Sequence, residues 1–252
     1  MKKIFYIFLL FLGVTLFSEA ATRGDIKVIE ASENIRFLSQ KIVKDYLFFY
    51  KNQDKLEVKR GLDRSLDKLN DDFRIIATTT KDGDTKDILE FLAYSKDQIE
   101  QMFNEKANKE SAALMLDYSE TLLEGADSIA NAHRYDFSRE EKMLMLTKKI
   151  EYLLERVMKY YIAIHVGFNT PTNKEQMKNA INSIEESLVE ISLYNYPEET
   201  KTVQKNLNHS WKKNRVFFNK SDNLFIPKLM FISVTHMEEM IDQIALHHSK
   251  NQ

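Results

Sequence analysis

The sequence predicts an all-α protein in which two antiparallel four-helix bundles follow an N-terminal signal peptide, the second bundle being a repeat of the first. Only 6 Gly and 3 Pro occur among 252 residues, which argues against a turn-rich β-sandwich and favours long helices. Apolar residues recur every three or four positions, as on one face of a helix. A third observation, self-similarity at a fixed shift along the chain, divides it into two similar halves.

The first twenty residues have the layout of a secretory signal peptide. Two lysines precede an apolar run from Ile4 to Phe17, which is followed by Ser18-Glu19-Ala20. A basic start, a short apolar stretch and small residues at the end are typical of a cleaved signal peptide, and a membrane span needs about 20 apolar residues. We therefore predict a signal peptide over residues 1–20 and a mature periplasmic protein that starts at Ala21. The alternative is an uncleaved N-terminal membrane anchor.

Charge and cysteine content exclude several classes of function. The 36 basic and 38 acidic side chains give a formal net charge of −2, which removes the electrostatic reason to expect a nucleic-acid partner. The chain contains no Cys, so disulfides, thiol nucleophiles and thiolate metal sites are impossible. A secreted domain of this kind must be stabilised by its apolar core.

The internal repeat is the most informative pattern. A shift of 115 residues carries Ile35-Arg36-Phe37-Leu38 onto Ile150-Glu151-Tyr152-Leu153 without a gap. The same shift superimposes apolar positions in three further segments: Leu62, Leu66, Leu69, Phe73 and Ile76 fall on Met177, Ile181, Ile184, Leu188 and Ile191; Leu92 and Phe103 on Leu207 and Phe218; Met115, Ile129 and His133 on Met230, Ile244 and His248. We therefore predict one four-helix bundle over residues 22–134 and a second over residues 137–250.

The helices of each half follow from stripes and breakers. The first stripe consists of Ile35, Leu38, Ile42, Tyr46 and Phe49, and the second runs from Leu62 to Ile76 at helical spacing. Breakers separate the later helices in both halves: Thr78–Lys86 and Leu193–Lys201, then Asn104–Glu110 and Asn219–Phe225. Four amphipathic helices with short connections bury their stripes by closing into an antiparallel bundle.

The joint between the halves allows two interpretations. Ser138 with Glu141 three residues later matches a capping box, which predicts that a new helix begins there after a break near His133–Phe137. However, Ile129 through Tyr161 contains no Gly or Pro, so the fourth helix could also continue into the fifth and stack the bundles end to end.

The first helix carries the segment Arg36-Phe37-Leu38-Ser39-Gln40-Lys41-Ile42-Val43-Lys44. This segment resembles the Arg-Met-Leu-Ser-Gln-Arg-Met/Ile-x-Lys signature of PilJ-like domains, the N-terminal extracytoplasmic domains of type IV pilus chemotaxis transducers. These domains are similar to the sensor domains of nitrate/nitrite sensor kinases. The resemblance implies a periplasmic helical sensory bundle, often in tandem and often dimeric.

The resemblance also implies a ligand position. In nitrate-sensing members an arginine of this motif, from each protomer, meets the anion at the dimer interface, and the matching residue here is Arg36. The family tends to have Gly and Arg where this chain has Glu33 and Asn34. Because Glu151 stands opposite Arg36 in the second half, the implied anion site belongs to the first half only.

The residue types around Arg36 suit an anion, although a purely structural interpretation is open. A guanidinium is a planar, permanently charged fork that can bind a small oxyanion bidentately. Ser39 and Gln40 follow at i+3 and i+4 and could add neutral donors. Alternatively, Glu33 at i−3 pairs with Arg36 on a solvated face.

Catalysis, cofactors and metals are not expected. The sequence shows no nucleophile–base pair, no Gly-rich phosphate loop and no paired carboxylates at a defined spacing. His133, His247 and His248 lack partners at metal-ligand spacing, and their positions predict a role at helix C-termini.

Two functional hypotheses follow. The first is a periplasmic ligand-sensing or ligand-binding module that presents a small ligand, with an anion as the first candidate, to a membrane chemoreceptor or sensor kinase. Such a module could form a homodimer through its first helices. The second is a non-catalytic structural or adaptor bundle that binds a protein partner without a small ligand.

Overall fold

The structure is a computed structural model that describes residues 23–51, 56–221 and 223–251. The predicted signal peptide over residues 1–20 lies outside the described residues. Eight helices and no strand occur in the described ranges, which confirms the all-α prediction. They are α1 (Arg23–Lys51), α2 (Leu56–Thr79), α3 (Gly83–Asn104), α4 (Lys109–Ala132), α5 (Arg139–His165), α6 (Pro171–Ser192), α7 (Glu198–Phe218) and α8 (Pro227–Ser249).

Helix α1 packs against α2, α4 and α5, and α3 packs against α4 and α2. Contacts at two levels show that α1 and α4 are antiparallel. Near one end Asp25 of α1 meets His133, which follows α4, and further along Gln40 of α1 meets Ser119 of α4. The long helices bury an apolar interior that continues from the first half of the chain into the second.

In the second half of the chain, helix α5 packs against α6 and α8, and α8 packs against α7. It is antiparallel to α8, because Glu140 at its start bonds His248 at the end of α8, and Tyr161 near its end bonds the amide of Ile226 just before α8.

The two halves meet through α1 and α5, which run in the same direction. The guanidinium of Arg36 lies over the ring of Tyr152, and further along Lys44 bonds Glu155. No side chain of α1 from 31 to 50 is exposed, and the same holds for α5 from 150 to 164. Both helices are therefore surrounded by protein over most of their length.

Positions that match under the 115-residue shift have similar burial. Ile35 and Ile150 are both buried, as are Leu66 and Ile181. The same is true of further pairs: Leu62 and Met177, Leu69 and Ile184, Ile76 and Ile191, Leu92 and Leu207, Met115 and Met230, Ile129 and Ile244. One apolar pattern thus lines the interior of both halves.

A break separates α4 from α5, as the capping box predicted. Helix α4 ends at Ala132, and α5 begins after Ser138. The Ser138 hydroxyl accepts a hydrogen bond from the Glu141 amide, and the Glu141 carboxylate accepts one from the Ser138 amide. Both hydrogen bonds of the capping box are therefore formed. The reciprocal cap satisfies amides that a continuous helix would otherwise pair internally, and the chain can turn there to bring α5 beside α1.

His133 and His248 each contact a carboxylate on a neighbouring helix, in addition to lying at a helix C-terminus. Nδ1 of His133 lies 2.8 Å from the Asp25 carboxylate, and Nδ1 of His248 lies 2.6 Å from that of Glu140. Each pair ties the start of one long helix to the end of its antiparallel neighbour. Burial lowers the pKa of His248, which favours its neutral form. Nε2 of this ring lies 2.9 Å from the Tyr196 hydroxyl.

No helix in the described ranges is long and apolar enough to span a membrane.

Gly125 allows α3 to approach α4 closely. A Cβ placed on Gly125 would lie 2.5 Å from Cδ2 of Leu92, and Leu92 is completely buried. We expect Gly125→Ala to destabilise the fold, because the clash outweighs the gain in helix propensity of about 1 kcal/mol. Urea unfolding followed by circular dichroism measures the change.

Gly61 provides the matched control. It lies within α2, and a Cβ there meets nothing within 4 Å, so Gly61→Ala should stabilise the protein by about 0.5–1 kcal/mol. Equal effects of the two substitutions would contradict the close approach of α3 and α4.

Candidate functional site

Arg36 lies where α1, α4 and α5 meet. Nη1 bonds the Glu33 carboxylate at 2.7 Å, Nη2 lies 3.3 Å from Asp127 of α4, and the guanidinium carbon lies 4.3 Å from the ring centroid of Tyr152. Only 14% of the Arg36 side chain is exposed. The guanidinium therefore has two carboxylates and an aromatic face as neighbours.

Burial sets the electrostatics of this group. Desolvation raises the pKa of Glu33, and the opposing attraction of Arg36 does not fully offset it. Burial by itself disfavours the charged form of Arg36, but Glu33, Tyr152 and Asp127 together raise its pKa. Arg36 is thus a fixed cation, whereas Glu33 is the titratable member of the pair.

Ser39 and Gln40 do not share the surroundings of the Arg36 guanidinium. The Ser39 hydroxyl donates to the Arg36 carbonyl, and the Gln40 amide nitrogen donates to the Ser39 hydroxyl and to the Ser119 carbonyl of α4. Both side chains are completely buried. Helical spacing placed all three residues on one side of α1, but the Arg36 side chain extends back to Glu33 at i−3, away from the other two. A role for Ser39 and Gln40 in binding stays a prediction.

A cleft opens beside Arg36, with a volume of about 470 Å³. Four basic side chains line it: Arg36, Arg134, Lys142 and Lys149. The acidic side chains on its walls are Glu33, Asp127 and Glu190, and the apolar ones include Ile29, Phe137 and Leu146. Arg134 and Lys142 are exposed. The cleft combines the exposed cations Arg134 and Lys142 with the largely buried cation Arg36, which is an arrangement that can hold a small anion.

The second half of the chain has the same ion pair with its charges exchanged. Shifted by 115 residues, Glu33 and Arg36 become Lys148 and Glu151, and Lys148 bonds Glu151 at 2.9 Å. The spacing of the pair is kept and the sign of the charge at each position is exchanged, while the carboxylate is the more buried partner in both halves. Burial raises the pKa of Glu151.

Further along the α1–α5 contact lies a buried cluster around Glu155. The Lys44 ammonium lies 2.7 Å from the Glu155 carboxylate, and both side chains are inaccessible or nearly so. Burial and the negative charge of Glu155 raise the pKa of Glu238 on α8 to about 9. This shift favours the protonated form of Glu238, which hydrogen-bonds to Glu155. This cluster joins α1, α5 and α8.

A second buried cluster joins α5 to α4. The completely buried Lys159 donates to the Ser119 hydroxyl and to the Glu120 carboxylate, which also pairs with Arg156. Burial lowers the pKa of Lys159 to about 8. Lys159 matches Lys44 under the 115-residue shift, so the equivalent lysines of α1 and α5 each reach a carboxylate on a helix of the other half.

Sequence reasoning missed these clusters, although a signal was present. Glu151, Glu155 and Lys159 interrupt a stretch of α5 whose other residues are largely apolar, and charges within a helix that is apolar on all sides require buried partners. The partners come from α1, α4 and α8, which are distant in sequence.

Within the described ranges, no group of three or more His, Asp or Glu side chains is arranged to hold a metal ion. Comparisons with family models, with curated proteins and with solved structures gave no match.

The Lys44–Glu155 pair can be tested by a double-mutant cycle. Lys44→Met should destabilise the fold by about 3–5 kcal/mol, because it leaves a buried carboxylate without its main partner. The double variant Lys44→Met/Glu155→Leu should recover most of this loss, since neither buried charge remains. Urea unfolding measures each free energy.

The exposed pair Arg74–Asp71 is the control, and Arg74→Ala should change the free energy of unfolding by less than about 0.5 kcal/mol. If the double variant lost as much unfolding free energy as Lys44→Met and Glu155→Leu lose together, Lys44 and Glu155 would act independently.

Proposed function

We propose that this chain is a non-catalytic, extracytoplasmic ligand-binding module that holds a small anion in the cleft beside Arg36 and presents it to a membrane chemoreceptor or sensor kinase. The observation that carries the proposal is the cleft itself, in which the arginine of the PilJ-like segment forms a wall and three further cations stand around it. Retention of an oxyanion by a guanidinium and nearby ammonium groups is ordinary protein chemistry.

The proposal includes a tandem architecture of two four-helix units over residues 22–134 and 137–250. Its support is the matched burial of apolar positions, the two His–carboxylate ties at equivalent helix ends and the parallel α1–α5 contact. On this view α5 stands beside α1 where a dimeric sensor would place the first helix of a second protomer. One chain then supplies both sides of the interface that holds Arg36.

An adaptor function without a small ligand is the second candidate. Arg36 already has Glu33 and Asp127 as partners, so an anion must displace or share them. Large apolar side chains are also exposed, among them Leu193 at 78% and Ile232 at 70%, as on surfaces that contact proteins.

A thermal-shift screen of the purified protein against small anions, amino acids and quinones distinguishes a ligand-binding module from an adaptor, because an adaptor gains no stability from any of them.

Arg36→Ala tests the anion site directly. Loss of a charge-assisted contact is worth about 1.5–3 kcal/mol, so the affinity for nitrate, sulfate or phosphate, whichever stabilises the wild type, should fall by a factor of about ten or more. Isothermal titration measures the affinity. Arg74→Ala removes an exposed arginine outside the cleft and should leave the affinity unchanged. Equal affinities of wild type and Arg36→Ala would return Arg36 to a purely structural role.

Anion affinity should also depend on pH through Glu33. The groups that face this carboxyl are Arg36 on its own helix, Asp127 on α4, and Lys148 and Tyr152 on α5. Because the pKa of Glu33 is raised, its carboxylate is protonated at a higher pH than the carboxylate of an exposed glutamate. The guanidinium then loses a competing anion, and nitrate affinity should rise as the pH falls from neutral into the acidic range.

Glu33→Gln is the control for this titration. It removes the titrating group while keeping the side-chain volume, so it should raise nitrate affinity at neutral pH and flatten the pH profile. A profile as steep as that of the wild type would assign the pH dependence to another group.

A further inference from the structure

A groove separates α6 from α7 on the outside of the second half. Its volume is about 740 Å³, and buried Trp211 lines it together with Leu188. At its edges Val189 is 63% exposed and Leu193 is 78% exposed. Exposed aliphatic side chains along a concave apolar surface are typical of a site that receives side chains from another molecule.

The rim of the groove is basic. Lys205, His209, Lys212 and Arg215 line it and are all exposed. Among the described residues that line the groove, Glu185 is the acidic one, and it is paired with Arg215. The occupant that this rim selects is therefore apolar in the centre and acidic at the sides.

Helix α3 of the same chain presents such a surface. Phe91 is 65% exposed and Tyr94 is 60% exposed, and the exposed carboxylates of Asp87, Glu90 and Asp97 flank them. The spacing of these five residues places them on one stripe of the helix. We call them the acidic aromatic face. Aromatic side chains surrounded by charges are frequent anchors of protein interfaces.

The two surfaces are electrostatic opposites at equivalent positions of the repeat. Helix α3 contains five acidic and two basic side chains, whereas α7 contains two acidic and five basic ones. Shifted by 115 residues, Glu90 falls on Lys205 and Asp97 on Lys212. Each chain thus carries both an acidic aromatic face and a basic apolar groove, and the structure leaves both exposed.

We propose that a second copy of this chain is the occupant, with the acidic aromatic face of α3 from one molecule seated in the α6/α7 groove of the next. The contact is heterologous, since different surfaces meet, and a pair keeps one free groove on one molecule and one free face on the other. Association therefore continues head to tail into a ring or a filament. Opposite charges at the rim make it stronger at low ionic strength.

Sedimentation velocity of the purified protein gives the first test. The mean mass should rise with protein concentration beyond a dimer and fall at high ionic strength. The chain has a single Trp, which lines the groove, so its fluorescence should change over the same concentration range. A wild type that stays monomeric at every accessible concentration would overturn the proposal.

A mixing experiment tests which surfaces meet. The face variant Glu90→Lys/Phe91→Ser and the groove variant Val189→Ser/Leu193→Ser change exposed residues, and circular dichroism verifies their folding. Each variant alone should associate at least about tenfold more weakly than the wild type, since each lacks an apolar anchor and the altered face also opposes the like charges of the groove rim. An equimolar mixture should form a one-to-one heterodimer and stop there, because the intact groove of one fits the intact face of the other.

Ile232→Ser is the matched control, because Ile232 is 70% exposed on α8 and belongs to neither surface; it should associate like the wild type. A mixture that stays monomeric while the wild type associates would show that other surfaces meet. Binding of the groove to anionic phospholipid vesicles without self-association would identify a membrane as the occupant. Either result overturns the proposal.

Discussion

The buried ion pair between Lys44 of α1 and Glu155 of α5 is the contact on which the rest of the arrangement depends. Two charges placed between packed helices are tolerated only if their partners are held in register. Lys44 reaches Glu155 at 2.7 Å, and Glu238 approaches the same carboxylate from α8. A slip of one helix against the other by a single turn would separate these groups, so the pair fixes how α1 and α5 lie against each other. Their packing then determines where Arg36 meets Tyr152.

The same apolar pattern occurs in both halves of the sequence, whereas charged residues at several matching positions have opposite signs. The ion pair Glu33–Arg36 has its counterpart in Lys148–Glu151, and the acidic helix α3 has its counterpart in the basic helix α7. Apolar positions of a repeat must stay alike to fill similar interiors, whereas charges on its surfaces and seams can invert at little cost in stability.

The proposed anion site uses a guanidinium that the folded protein already holds in ion pairs. The Arg36 guanidinium stands in a cleft, but it also neutralises Glu33 and lies near Asp127. A ligand that binds there gains a charge-assisted contact and loses part of one that the folded protein already makes. Net affinity is the difference between the two, which ties binding to the protonation of a buried carboxyl.

The sequence by itself determined the helical class, the boundary between α4 and α5 and the residues that fill the interior, because these follow from local periodicity, capping and the spacing of apolar side chains. It also singled out Arg36. It did not reveal that Ser39 and Gln40 are buried against α4, that His248 is held by Glu140, or that Lys44 and Lys159 each reach a carboxylate of the other half. Those contacts join residues far apart in the chain. Local spacing gives the face of a helix on which a residue lies, and only the packing of the helices decides what stands opposite that face.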